Sequence, residues 1–110
     1  MENRVGGADG NPYLVAAATL GAAALGIEEK IEPIAAVVGN AYDQEDPMGS
    51  ESRFSPTLRQ AATRMGESNA ARMVFGDAFV EHFVSTRIWE AEQSERSVND
   101  WQLDRYLEII

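Results

Sequence analysis

The sequence predicts an all-α fold of about five helices, and three observations carry that prediction. Cap-forming polar residues stand just ahead of apolar stretches at several points, most clearly at Asn11-Pro12, Ser55-Pro56, Asp77 and Asp100. Apolar residues in the second half of the chain recur at helical rather than alternating spacing. The one candidate for extended chain, Glu2 to Val5, is four residues at a terminus. A strand that short has no stability without a neighbouring sheet, and nothing downstream offers one. At 110 residues there is room for one domain, so residues 1–110 read as a single helical domain.

Taken in order, an extended Glu2–Val5 segment would place Glu2 and Arg4 on one face, with Asn3 and Val5 on the other. Gly6, Gly7 and Gly10 then make a turn. Asn11 is a favoured N-cap, and Pro12 suits the first helical position, where its missing N–H costs nothing. The alanine-rich helix that follows should run to about Lys30, roughly 28 Å at 1.5 Å per residue, and stop at Glu32-Pro33. Gly21 and Gly26 inside it each cost up to about 1 kcal/mol against alanine, which marks a surface where another backbone comes close. The helix reads as a buried core helix in preference to a dedicated dimerisation face.

From Pro33 to Ser55 the chain is a long connection. Ile34 to Val38 is an apolar run suited to covering the first helix, and Gly39-Asn40 is a turn signal. Ser55-Pro56 opens a second helix carrying Leu58, Ala61, Ala62 and Met65 on one face and ending near Glu67. A short third helix fits Asn69 to Phe75, closed by Gly76. Asp77 caps a fourth, with Val80, Phe83, Val84, Ile88 and Ala91 on one stripe, ending near Arg96. Asp100 caps a last helix from Trp101 to about Ile109, whose oily end Leu107, Ile109 and Ile110 is of the kind that docks on something.

Composition removes several function classes. Eighteen acidic against nine basic residues give a net charge of -9, and Lys30 is the only lysine. Such a balance repels phosphate backbones and anionic lipid, so no nucleic-acid and no membrane-surface partner is expected. Without cysteine there are no disulfides, thiolate metal sites or cysteine nucleophiles. Tyr13 to Ile27 is apolar but shorter than the about 20 residues a membrane span needs, and Glu28 and Glu29 follow it. The polar start Met1-Glu2-Asn3-Arg4 lacks a signal peptide's basic-then-apolar order. A soluble, cytoplasmic chain is expected.

Most residues that invite a chemical role have a plainer one. His82 is the only histidine, and its helical neighbours Ala78 and Thr86 are not metal ligands, so it reads as an exposed or structural histidine. Trp89, Trp101, Phe79 and Phe83 at helical spacing read as packing residues. The acidic run from Asp43 to Gly49 does not fit the twelve-residue calcium loop and reads as a solvated loop. Glu2 and Arg4 differ, because a carboxylate and a guanidinium two apart on an extended segment aim at the same space. One can hold a divalent cation and the other a substrate carboxylate by a two-pronged contact. From two residues alone, a surface ion pair is the simpler reading.

The stretch Glu2-Asn3-Arg4-Val5-Gly6-Gly7-Ala8-Asp9-Gly10-Asn11-Pro12-Tyr13-Leu14 resembles the glutamine synthetase motif in which Glu-x-Arg precedes an Asp-x-Asn-Pro-Tyr-Leu turn. The resemblance continues through the alanine-rich helix, Gly26-Ile27-Glu28, Gly39-Asn40-Ala41-Tyr42 and the Asp100-Trp101 to Arg105-Tyr106 ending. Gly6-Gly7 and the tail from Trp101 to Ile110 look more like the branch that joins glutamate to amines. The resemblance implies that Glu2 binds an active-site Mg²⁺ or Mn²⁺ and Arg4 grips the substrate glutamate, with Asn11 and Pro12 fixing the turn. It implies phosphoryl transfer from ATP to a γ-carboxylate and attack by ammonia or an amine on the acyl phosphate.

Members of that family run to several hundred residues, and an arginine two positions before the glutamate would fall before Met1. The remaining metal carboxylates, the nucleotide pocket and most of the sheet have no counterpart in these residues. The chain is therefore expected to be the carboxyl-terminal helical part of such a ligase, without a catalytic residue set or bound cofactor of its own and inactive alone. Its expected partners are the rest of the catalytic domain and further copies of itself. The rival reading is a stand-alone helical oligomerisation or interaction module, with the Ala/Gly-rich helix and the end Leu107 to Ile110 as contact surface.

Overall fold

The computed structural model describes residues 6–36, 38–40 and 53–107. Its regular structure is five helices: α1 Pro12–Glu28, α2 Leu58–Glu67, α3 Asn69–Phe75, α4 Asp77–Arg96 and α5 Asp100–Tyr106. Among the described residues there is no strand, so the all-α expectation holds. The chain divides into two compact units, Met1–Arg53 and Phe54–Ile110, and each is taken by itself.

In the first unit the turn before α1 closes with the Gly10 N–H donating to the Gly7 carbonyl at 3.1 Å. The Val15 side chain lies over this turn, so a Cβ added at Gly10 would meet both Val15 Cγ2 and the Gly7 carbonyl oxygen at 3.2 Å. The Asn11 side chain accepts from the N–H groups of Tyr13 at 3.0 Å and Leu14 at 3.2 Å, and Pro12 occupies the first turn. Two of the orphan donors of the helix start are thereby satisfied.

The other end of α1 departs from expectation. The helix stops at Glu28 rather than Lys30, and Glu32-Pro33 is not what stops it. Lys30 adopts φ 52°, its N–H donates to the Ile27 carbonyl at 3.2 Å, and the Ile31 N–H donates to Gly26 at 2.9 Å. That pair of bonds is a Schellman closure, with lysine in the left-handed place that glycine usually fills. No residue of α1 is buried, so the expected core helix is uncovered in this chain. Ile34 and Val38, expected to cover it, stay largely exposed themselves.

The second unit is built on α4. α2 packs antiparallel to it, α3 packs on both, and α5 packs on none of the three. The core is small: Ala62, Val80 and Ala91 are buried, Val80 completely. Val80 and Ala91 both belong to the predicted stripe of α4, whose other members, Phe83, Val84 and Ile88, are half-buried. Gly66 of α2 faces Val84, where an added Cβ would sit 3.6 Å away, an ordinary contact. Phe75, Phe79 and Phe83 stack in sequence along the α3–α4 junction, with ring centroids 5.2 and 5.6 Å apart.

Three helix starts shift by a residue or two from expectation. α2 begins at Leu58 under Thr57, whose hydroxyl accepts the Gln60 N–H at 3.2 Å, and not under Ser55. α4 is preceded by Gly76 at φ 80°, and Asp77 is its first helical residue rather than its cap. α5 is capped by Asn99 and not Asp100: Asn99 Oδ1 accepts from Gln102 N at 2.9 Å, and Gln102 Oε1 accepts from Asn99 N at 3.1 Å. α5 closes at Tyr106, short of the expected Ile109; residues 108–110 lie outside the described residues. No helix among the described residues is long and apolar enough to cross a membrane.

Candidate functional site

Glu2 and Arg4, to which the family resemblance gives cation and carboxylate binding, lie outside the described residues. The turn that follows them does not. Asn11, Pro12, Gly10 and Val15 fasten the turn from Gly6 to Gly10 to the first turn of α1. The direction in which the segment enters α1 is thus fixed by cap geometry and by one valine packed on two glycines. The acidic run Asp43 to Gly49 also lies outside the described residues.

His82 is exposed on α4. Among the described residues no three His, Cys, Asp or Glu side chains stand close enough to hold a metal ion.

The concentrated electrostatics of the second unit are two arginine clasps that sequence reading missed. Arg59 near the start of α2 meets Glu95 at the end of α4 with a two-pronged contact, Nε to Oε1 at 3.2 Å and Nη2 to Oε2 at 2.8 Å. Glu92 stands 3.8 Å away. The hydrogen bonds and charge of Arg59 hold the Glu95 carboxyl below the usual carboxylate range, and Glu95 raises the Arg59 guanidinium in return. The partners are 36 residues apart in sequence, so only the antiparallel α2–α4 packing could reveal them.

Arg72 of α3 ties three helices together. Its Nε and Nη2 donate to the Gly66 carbonyl in the last turn of α2, at 3.2 and 2.9 Å. Its Nη1 donates to Asp77 Oδ1 at 2.7 Å, with Glu81 at 3.7 Å. A helix end presents unpaired carbonyls, and a planar guanidinium can meet one of them while pairing a carboxylate beside it. The contact to Asp77 raises the Arg72 guanidinium further. Both arginines are thus committed to holding helices together, and neither is offered to a substrate.

Arg87 is the remaining arginine with a distinct setting. It lies 5.3 Å over the Phe83 ring, with Nη2 3.6 Å from Glu90 and a buried Nε that has no hydrogen-bond partner.

Comparison with known proteins gives one consistent result. The sequence pattern of the family described as glutamine synthetase, catalytic domain, matches residues 1–106. A glutamate–isopropylamine ligase from a Pseudomonas species is 44% identical over 110 residues, covering 100% of this chain and 24% of the ligase. The type-1 glutamine synthetase 2 of Dictyostelium discoideum is 39% identical over 110 residues, 99% of this chain and 21% of that protein. The gamma-glutamylethanolamide synthetase of Streptomyces coelicolor is 36% identical over 108 residues, 98% of this chain and 22% of the synthetase. The chain thus spans about a quarter of the length of the curated relatives it matches. No solved structure matches it.

Proposed function

From the premise that the chain belongs to the glutamine synthetase family, we propose that it is the carboxyl-terminal helical part of an ATP-dependent ligase joining glutamate to an amine. The observation that carries this reading is the 44% identity, over the whole chain, with a glutamate–isopropylamine ligase. The similarity to a gamma-glutamylethanolamide synthetase supports the amine branch. The reaction is activation of the glutamate γ-carboxylate by ATP and displacement of phosphate by the amine nitrogen.

In this reading Glu2 is a ligand to Mg²⁺ or Mn²⁺, and Arg4 holds the substrate glutamate by a two-pronged contact to a carboxylate. Asn11, Pro12 and the Gly10–Val15 contact have a structural role, fixing the turn that follows both residues in sequence. Two side chains do not make an active centre, so the 110-residue chain alone has no ligase activity. The site is completed by the remainder of the catalytic domain, in an assembly of several copies.

The test is ADP release from ATP, glutamate and Mg²⁺ with isopropylamine, ethanolamine or ammonia. A protein carrying this segment in a full catalytic domain should turn over an amine faster than ammonia. Arg4→Ala in that protein should raise the KM for glutamate by more than about tenfold, the scale of one lost charged contact. The 110-residue chain should release no ADP above background. Turnover by that chain, or a full-length enzyme using ammonia alone, would refute the reading.

A further inference from the structure

α2 and α4 pair as a hairpin with α3 at its turn, and the register of that pairing is centred on one glycine. Gly66 lies against Val84 and Arg59 against Glu95. The sequence midpoints of these two pairs are residues 75 and 77, so Gly76 stands at the centre. Gly76 holds φ 80° and ψ 154°, a region open to glycine and closed to other residues. A Cβ there would meet nothing within 4 Å, so the backbone angle alone requires glycine.

That angle is all that divides α3 from α4. The Gly76 N–H already donates to the Arg72 carbonyl at 2.8 Å, and the Gly76 carbonyl accepts the Val80 N–H at 3.1 Å, both at helical spacing. Phe75, Phe79 and Phe83 stack at four-residue steps across the break, as they would along an unbroken helix. α4 starts with no side-chain cap, whereas the four other helices among the described residues each have one. With residue 76 helical, the N–H groups of Asp77, Ala78 and Phe79 would meet the carbonyls of Met73, Val74 and Phe75. A single helix would then run over residues 69–96.

In such a helix α2 cannot keep its place on the α4 of its own chain. Ser68 would stand about 24 Å along the axis from Val84, at 1.5 Å per residue. The two residues from Ser68 to Gly66 reach about 7 Å at most. A second copy lying antiparallel and crossing at Gly76 removes the difficulty. Residues 68 and 84 are each eight positions from Gly76, so Ser68 of one copy comes level with Val84 of the other. Gly66 then meets Val84, and Arg59 meets Glu95, between copies. Arg72 keeps the Gly66 carbonyl of its own chain and finds Asp77 and Glu81 on the second copy in place of its own.

We propose that Gly76 is a hinge for exchange between copies. In its present conformation it closes the α2–α4 pairing within one chain; turned helical, it passes the same pairing to a second copy as a swapped dimer. Failure of this proposal would leave the ligase reading untouched, because that reading is judged by turnover of a longer protein.

Gly76→Ala in the 110-residue chain is excluded from the present conformation and favoured in a helix. After refolding at tens of micromolar it should give twice 12.0 kDa by light scattering, with helix content by circular dichroism kept or raised. The Arg59–Glu95 clasp reports which chains pair. One Gly76→Ala chain carries Arg59→Glu as well, and another carries Glu95→Arg. Only a dimer of the two, exchanged at the hinge, restores both clasps. Unfolded together and refolded, the two should form the mixed dimer in excess of random pairing by native mass spectrometry. The same two charge changes with Gly76 retained should show less of it. A 12.0 kDa Gly76→Ala chain, loss of its helix content, mixed dimers at the random proportion, or an equal excess with Gly76 retained would each overturn the proposal.

Discussion

At the scale of single residues, the second unit depends on two guanidinium groups whose geometry assigns them different duties. Arg72 meets one carbonyl with two N–H groups and a carboxylate with a third, which lysine cannot reproduce from a single ammonium. Arg59 clasps Glu95 through a two-pronged contact, with Glu92 3.8 Å away, and the clasp on Glu95 should be felt on acidification. Because Glu95 is held below the usual carboxylate range, its contribution is present at and above that range and is lost as pH falls through the lowered value. Arg59 is raised and stays charged throughout. Glu95→Gln should therefore lower the melting temperature at neutral pH and flatten its fall on acidification, with the difference vanishing in strong acid. Both groups are partly exposed, so the effect should be modest and shrink with salt. Thermal melts of the two proteins between neutral and strongly acidic pH check this.

At the scale of elements, α5 is the helix most dependent on its own sequence. It has seven residues, no buried side chain and no helix packed against it, and a helix that short is marginal in water. What holds it is the reciprocal bond pair between Asn99 and Gln102, aided by Trp101 edge-on to Tyr106 at 6.3 Å. Asn99→Ala should cost about 1 kcal/mol and open α5, read as faster amide exchange of residues 102–106, while α4 keeps its protection. The same residue shows why helix existence was legible in the sequence and helix starts were less so. Asn99 and Asp100 are both able caps, and the choice falls to the one standing three residues before Gln102. Thr57 prevails over Ser55 by accepting the Gln60 N–H. Asp77 loses its expected role because Arg72 takes its carboxylate. None of these decisions is visible to a rule that reads one residue at a time. The end of α1 was harder still, since a left-handed lysine carries no sequence signal. The candidate site was legible only through resemblance, because a glutamate and an arginine two positions apart read by themselves as a surface ion pair.

At the scale of the whole chain, the two units contrast in how they treat apolar surface. Among its described residues the first holds one long helix with nothing buried, and large side chains stand exposed along its length. Among the described residues the second buries Ala62, Val80 and Ala91, with Phe83, Val84 and Ile88 half-buried beside them. A unit of this size has little reserve of stability, because the fraction of surface that a short chain can bury is small. Val80 is its one completely buried large side chain, and Ala62 and Ala91 are too small to collapse into a space left beside it. Val80→Ala should therefore cost about 2 kcal/mol, the transfer of two methyl groups plus the cavity they leave. With three buried side chains among the described residues, that loss is a large share of the total. The expected outcome is a broad, weakly cooperative melt by circular dichroism in place of a single transition. Val80→Ile adds a methylene to a full site and should also destabilise, by about 1 kcal/mol or more. A unit that tolerates both changes with an unaltered transition would show that the stacked rings of Phe75, Phe79 and Phe83 carry its stability instead.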